Sequence, residues 1–496
     1  MENIFENIIK KDKFDITHEE KIKLNEWLIK RLGLKELINL LVNINSEVEI
    51  FLDESYDEKI ISGEFNNICS QISLAIDDAI SSILFEKQFN CFYNEFLKIL
   101  NEEEYDEIIV FHASFGWNIE MKQRPQHLAE ALSKKKILYI YRSDIKNDDL
   151  FSIEKIQENL YLVNLDMYSL NSAFFEAIKA IEKPRFVHVY ATCLNFVGYD
   201  LIKSYIDKGF NVIYDFVDEL SSDISGYEVT SDMLNGHNKL LSDKENVFVI
   251  STAEGLKDKV DIIRGENKNI LVPNGVNLDD FIVIKNIEFE WKDKNNLNVE
   301  SFGVDFDNNI RESDFGKQEK FQFILNKKKP IIGYYGALAK WFDYDLIGRL
   351  AKEREEYEIV LIGMDYDGSY DKSGLDKYHN ISYLGIVNYD ELINYSIHFD
   401  VCIVPFIKND ITDSTSPIKI FEYMALGKPI VTTNIRECLK YKSCIVSKNS
   451  NEFIENIDRA LNELRFSEEY INIVRGEALN NTWDSRAEKI KRCLEE

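Results

Sequence analysis

The stretch DSTSPIKIFEYMALGKPIVTT, residues 413–433, decides how this chain is read. Ser414, Thr415 and Ser416 precede Pro417, which suits the first helical position because a missing N–H costs nothing there. The pattern predicts a helix ending at Gly427, after which Pro429 leads into the β-branched strand Ile430-Val431-Thr432-Thr433. A capped helix accounts for Ser416-Pro417 and for Gly427. It does not account for Lys419 and Glu422, which stand three apart and share one helix face. Hydroxyls and orphan N–H groups at a helix mouth attract an anion, and a lysine one turn inside strengthens that attraction.

Working outward, the same strand–helix texture fills most of the chain. PIIGYYG, EIVLIG, NISYLG, DVCIVPF, KPIVTT and CIVSK read as strands after residue 329, with helices such as YDELINYSI between them. Before residue 284, EIIVFHA, KILYIYR, RFVHVYA, NVIYDFVD, NVFVIST and NILVPNG do the same, with QRPQHLAEALSK and LKDKVDIIR as helices. Alternation at this interval implies parallel strands joined by crossovers. The expected fold class is α/β, with two doubly wound Rossmann-like domains facing across a cleft and an all-helical amino-terminal module before them. In such sheets a ligand sits outside the carboxyl ends of the strands. The expected domains are a helical interaction or acceptor-docking module (1–105), a first α/β half (106–283), a polar insert (284–328) and a second α/β half (329–496).

At 496 residues the chain is too long for one core. Hydrophobic residues make up 45% of it, enough for globular packing, and the formal net charge of −28 argues against a nucleic-acid-binding surface. No stretch is long and apolar enough for a membrane span, and residues 1–20 lack a secretory apolar region, so a cytoplasmic location is expected. The seven cysteines are scattered and never spaced CxxC, consistent with reduced thiols. Histidines show no metal-ligand spacing, and no metal site is assigned. The two DYD triplets, 343–345 and 365–367, open a helix and sit in a loop, and neither is assigned to metal.

Five pieces in order, WNIEMKQRPQHLAEAL (117–132), VIYDFVDELS (212–221), VPNGVNLDDF (272–281), IIGYYGALAKWFDYDLI (331–347) and SPIKIFEYMALGKPIV (416–431), carry a resemblance. From about 107 to 492 the chain resembles GT-B glycosyltransferases, particularly bacterial retaining ones that use nucleotide sugars. The resemblance implies that the second half binds the nucleoside diphosphate of a sugar donor, a UDP-sugar, and that the first half holds the acceptor. Lys419 would then meet the phosphates and Glu422 the ribose hydroxyls, with Gly336, Lys340, Ser414, Thr415 and Ser416 completing the donor site. No cofactor is expected beyond this co-substrate.

Two positions depart from the family pattern. A glutamate seven residues before Glu422 is replaced by Ser414, leaving Asp413 or the Ser/Thr backbone to serve. The arginine that often follows the glycine of strand PIIGYYG is Ala337 here, and Lys340 is the nearby positive charge. On the first half, Asp215 and Asp218 at a strand's carboxyl end are the expected catalytic acids, able to orient the acceptor hydroxyl, take its proton or stabilise positive charge. Arg124 and His127 fit either a site or an Arg-Pro helix start, and His188 fits a strand core. The expected function is transfer of a sugar to an acceptor hydroxyl on a glycan or on protein Ser/Thr. The alternatives are a nucleotide-sugar epimerase on the same fold and a non-catalytic nucleotide-sugar-binding partner of another transferase.

Overall fold

The computed structural model describes residues 85–119, 122–222, 227–281 and 316–495. The strands in chain order are β1 (Glu107–His112), β2 (Ile137–Arg142), β3 (Ile153–Gln157), β4 (Leu160–Val163), β5 (Arg185–Tyr190), β6 (Asn211–Phe216) and β7 (Val247–Ser251). There follow β8 (Asn269–Leu271), β9 (Ile331–Tyr335), β10 (Glu358–Ile362), β11 (Ile381–Tyr383), β12 (Val401–Val404), β13 (Ile430–Thr433) and β14 (Cys444–Ser447). Three helices matter for the site: α1 (Arg124–Ser133), α2 (Ile418–Ala425) and α3 (Trp483–Glu495).

The described residues form two compact units, one drawn from 105–141 and 184–495, the other from 85–104 and 142–183. In the smaller unit a helix over 85–102 sets Phe96 edge-on against Phe174, ring centroids 5.2 Å apart. Strands β3 and β4 pair antiparallel there, through a turn in which Asn159 takes φ 59°. This corrects the expected boundary at 105. The end of the amino-terminal helical segment does not stand alone but packs with residues 142–183, a hairpin and helix placed above in the first α/β half. Residues 1–84 of the expected helical module lie outside the described residues.

In the larger unit the strands run β2-β1-β5-β6-β7-β8 in one sheet and β11-β10-β9-β12-β13-β14 in the other, all parallel. Every residue of β1, β7, β9, β10 and β12 is buried, as expected of parallel strands covered by helices on both faces. In each sheet the strand order reverses, between β1 and β5 and between β9 and β12. Loops leaving the sheet part in opposite directions at such a point and leave a crevice.

Two further boundaries shift. Residues 284–315 of the expected polar insert lie outside the described residues, but Lys317–Asn326 form a helix whose Phe321 and Ile324 join the core of the carboxyl-terminal half. The last helix, α3, leaves that half and packs on α1 of the amino-terminal half. There Trp483 stacks on His127 at 5.1 Å and 9° between ring planes, and Lys491 Nζ donates to Asp106 Oδ2 at 2.9 Å. The chain thus crosses between the halves twice, after β8 and before α3.

Glycines at the ends of β9 and β10 bring the backbones close. Gly363 has φ +139°, and a Cβ there would lie 2.0 Å from the Gly336 carbonyl oxygen. Gly385 has φ +69° with nothing within 4 Å of a Cβ. Gly385→Ala should therefore cost only the left-handed backbone penalty, about 1–2 kcal/mol. Gly363→Ala should cost clearly more, because main chain must move. Denaturant unfolding checks the order, and equal costs would contradict it.

Candidate functional site

The carboxyl ends of both sheets open onto one cleft of about 370 Å³. Phe115 after β1, Tyr190 at the end of β5, Thr192 after it, Asp218 after β6 and Asn274 after β8 line it from the amino-terminal half. Gly336 after β9, Phe406 after β12 and the start of α2 line it from the other.

Helix α2 forms as its sequence suggests, with one shift: Pro417 is the N-cap, with φ −67° and ψ 116°, rather than the first helical residue. No side chain caps this mouth; the Ile420 N–H donates to Pro417 O at 3.3 Å, and the N–H groups of Ile418 and Lys419 precede it at the mouth. Gly427 closes the helix at φ +67°, with Gly427 N–H donating to Met424 O and Lys428 N–H to Tyr423 O. Lys419 and Glu422 both face the cleft. The Lys419 ammonium lies 5.1 Å and 5.0 Å from the Tyr334 and Phe406 ring centroids, within cation–π range. A Cβ at Gly336, where φ is +129°, would meet Lys419 Cε at 2.7 Å and Nζ at 2.9 Å. Glycine at the end of β9 is what lets the lysine lie across the backbone.

Burial dominates the charge state of this pair. It lowers the Lys419 ammonium to about 8, against the pull of Glu422. It raises the Glu422 carboxyl to about 7, against Tyr335, Tyr389 and Lys419. The Tyr335 and Tyr389 hydroxyls sit near enough to Glu422 to favour its carboxylate against burial. Burial thus works against both the ammonium and the carboxylate. An anion at the helix mouth and hydroxyls on Glu422 would relieve both.

Across the cleft, Arg124 opens α1 and is 3% exposed. Its Nε donates to Asp215 Oδ2 at 2.9 Å, and its Nη1 reaches Asn274 Oδ1 at 3.2 Å and Pro273 O at 3.3 Å. Asp215 is wholly buried, and His188 Nε2 lies 3.4 Å from the same oxygen. Burial alone would raise the Asp215 carboxyl, but Arg124 and His188 more than offset it and hold it below the ordinary value. Burial keeps the His188 imidazole below its ordinary value even beside that carboxylate. Asp218, three residues further on and past the end of β6, lines the cleft; burial and then the Glu219 charge raise its carboxyl to about 7. Glu219 itself pairs with Lys259.

Of the residues singled out in the sequence, Gly336, Thr415, Ser416, Lys419, Glu422 and Asp218 line this cleft. The structure separates others. Asp215 does not face the cleft but sits beneath it as the buried partner of Arg124. Ser414 turns away, its Oγ 2.9 Å from where a Gly255 Cβ would be. Lys340 is exposed and outside the lining, with its N–H on Asp367. Asp413 accepts from the Arg436 N–H at 3.0 Å instead of standing in for the missing glutamate. Of the DYD acids, Asp343 caps the helix Tyr344–Glu353, and Asp365 and Asp367 accept backbone N–H groups of the loop. Asn274, Tyr190 and Tyr389 were not singled out by sequence reasoning, although Asn274 stands in a quoted motif.

Residues 329–463 match the family described as "Glycosyl transferases group 1". The protein TuaH of Bacillus subtilis (strain 168), assigned as a glycosyltransferase of teichuronic acid biosynthesis, is 26% identical over 121 residues, 24% of this chain. The chain spans 30% of the length of that relative. Sucrose-phosphate synthase from Thermosynechococcus elongatus superposes with a TM-score of 0.52 at 14% identity, covering 78% of this chain and 98% of its own. A trehalose-6-phosphate structure from E. coli, bound with UDP-2-fluoro glucose, gives a TM-score of 0.51 at 10% identity, covering 79% and 99%. The fold is GT-B, and the stretch similar to group 1 glycosyl transferases lies in its carboxyl-terminal half. In this GT-B chain the group 1 match contains α2, Lys419 and Glu422.

Two outcomes follow from the geometry. A bound diphosphate needs Lys419 protonated, so affinity for UDP should fall as pH rises through about 8, with proton uptake on binding. Titration calorimetry in buffers of different ionisation enthalpy checks this, and pH-independent affinity from 7 to 9 would contradict it. Asp215→Asn leaves the buried Arg124 guanidinium uncompensated and should cost about 3–5 kcal/mol of stability. Unchanged denaturant stability would contradict the buried-pair role.

Proposed function

We propose that this protein transfers a sugar from a nucleotide donor, a UDP-sugar, to an acceptor hydroxyl. The observation that carries the proposal is the uncapped mouth of α2, with Lys419 and Glu422 facing a cleft at the carboxyl ends of two Rossmann-like sheets. A diphosphate matches the mouth and the ammonium, and ribose hydroxyls match a carboxylate that only accepts when ionised. Support for uridine comes from the fold neighbour bound with UDP-2-fluoro glucose. Support for a glycan as acceptor comes from the relative assigned to teichuronic acid biosynthesis.

Asp218 is the acid of VIYDFVDEL that faces the cleft, and it takes the catalytic role expected of Asp215 and Asp218 together. A carboxyl near pH 7 is poised to take a proton from an acceptor hydroxyl. Burial raises it, so the base form grows in as pH rises through about 7.

Incubation with a panel of nucleotide sugars, read as released nucleotide and product mass, tests the proposal. UDP released together with a glycosylated acceptor is the expected result. An epimerised sugar nucleotide with no acceptor consumed would establish the epimerase alternative instead. Asp218→Asn should lower single-turnover rates by roughly 10²-fold or more with UDP affinity kept. EDTA should leave the rate nearly unchanged, because Lys419 and the helix mouth carry the phosphate charge. Normal turnover in Asp218→Asn would remove this acid from the mechanism, and activity lost in EDTA and restored by manganese would overturn metal independence.

A further inference from the structure

We propose that Asn274 is a positioning residue for the phosphate site, acting through Ser416, so that the amino-terminal half sets the anion-binding mouth of the carboxyl-terminal half. The proposal rests on the nucleotide-donor reading above. Asn274 lies in the turn Pro273-Asn274-Gly275 after β8, on the first crossing between the halves. Its backbone N–H donates to Ser416 Oγ at 3.2 Å, and its Nδ2 donates to Ser416 O at 2.6 Å. Its Oδ1 accepts from Arg124 Nη1 at 3.2 Å, and its carbonyl accepts from Arg486 Nε at 3.1 Å. Both ends of this side chain and both of its main-chain polar groups are therefore committed, two to Ser416 and two to arginines.

The turn is held firmly. A Cβ at Gly275 would lie 3.0 Å from Asn481 O, Thr482 C and Trp483 N, so glycine lets it press against the second crossing. Arg124 is itself fixed by the buried Asp215.

The consequence lies in the hydroxyl of Ser416, the residue before the N-cap of α2 and part of the cleft lining. A lone pair of its Oγ is occupied by the Asn274 N–H, so its own hydrogen remains free to donate. Clamping the Ser416 carbonyl fixes the peptide leading into Pro417 and hence the direction of that donor. Ser416 Oγ–H thus becomes a preset donor to a phosphoryl oxygen beside Lys419, aligned before the ligand arrives.

Affinities for UDP, inorganic pyrophosphate and uridine, measured by calorimetry on the full chain, test this. Asn274→Asp keeps an acceptor for Arg124 but sets a carboxylate oxygen against the Ser416 carbonyl. It should weaken UDP and pyrophosphate by about ten- to a hundred-fold and leave uridine unchanged. Ser416→Ala should show the same selectivity, and adding Asn274→Asp to it should cause little further loss, because coupled residues are non-additive. Asn274→Ala, which removes the same Nδ2 bond without adding charge, carries the comparison if Asn274→Asp does not fold. Equal losses for uridine and UDP, no loss at all, or additive losses in the double variant would overturn the positioning role. A wild-type protein that binds pyrophosphate but not UDP overturns the donor reading and leaves the anion site standing; one that binds neither overturns both.

Discussion

Everything at this site depends on a half-buried ammonium at the mouth of a helix. Lys419 lies over the backbone of Gly336 and between the Tyr334 and Phe406 rings, with Glu422 one turn further along the same helix. Burial pulls the ammonium down and the carboxyl up, each against its partner's charge. Burial that works against both charges favours a ligand that brings an anion to the ammonium and hydroxyls to the carboxylate. The close approach of the β9 and β10 ends, the glycines there and the uncapped mouth of α2 all serve to hold that arrangement.

The amino-terminal half contributes in two layers. Below the surface, Asp215, Arg124 and His188 form a buried polar group whose value lies in position. Removing one partner would strand the others in a dry interior. At the surface, Asp218 and the Tyr190 side chain face the cleft from ends of neighbouring strands. Arg124 joins the layers and, through Asn274, reaches the mouth of the helix on the opposite half. A donor site on one sheet is in this way tied to the acid on the other.

Much of this was legible in the sequence, and the exceptions have physical reasons. Helix α2 was readable because Pro417, the Lys419–Glu422 spacing and Gly427 are local signals with local causes. The two parallel sheets were readable from the recurring β-branched runs. Asp215 was misplaced because the strand NVIYDF is buried on both faces, so alternation gives no inward or outward sense. Ser414 and Lys340 were placed in the site by proximity along the chain, and a turn's facing is set by packing against Gly255 or Asp367 that no local pattern encodes. The hairpin β3–β4 was missed, although Glu158-Asn159 between two apolar runs is a turn signal. Asn274 carried no signal of its own: its partners, Arg124 and Ser416, are distant in sequence, and only the fold brings them together.

The central claim is that Lys419, the mouth of α2 and Glu422 form the binding site of a nucleoside diphosphate. A crystal structure of the protein in complex with UDP tests it most directly. The account predicts phosphoryl oxygens at the N–H groups that open α2 and within hydrogen-bond distance of Lys419 Nζ, with the ribose hydroxyls on the Glu422 carboxylate. UDP bound with its phosphates away from α2, or with Glu422 facing no ribose hydroxyl, would contradict it.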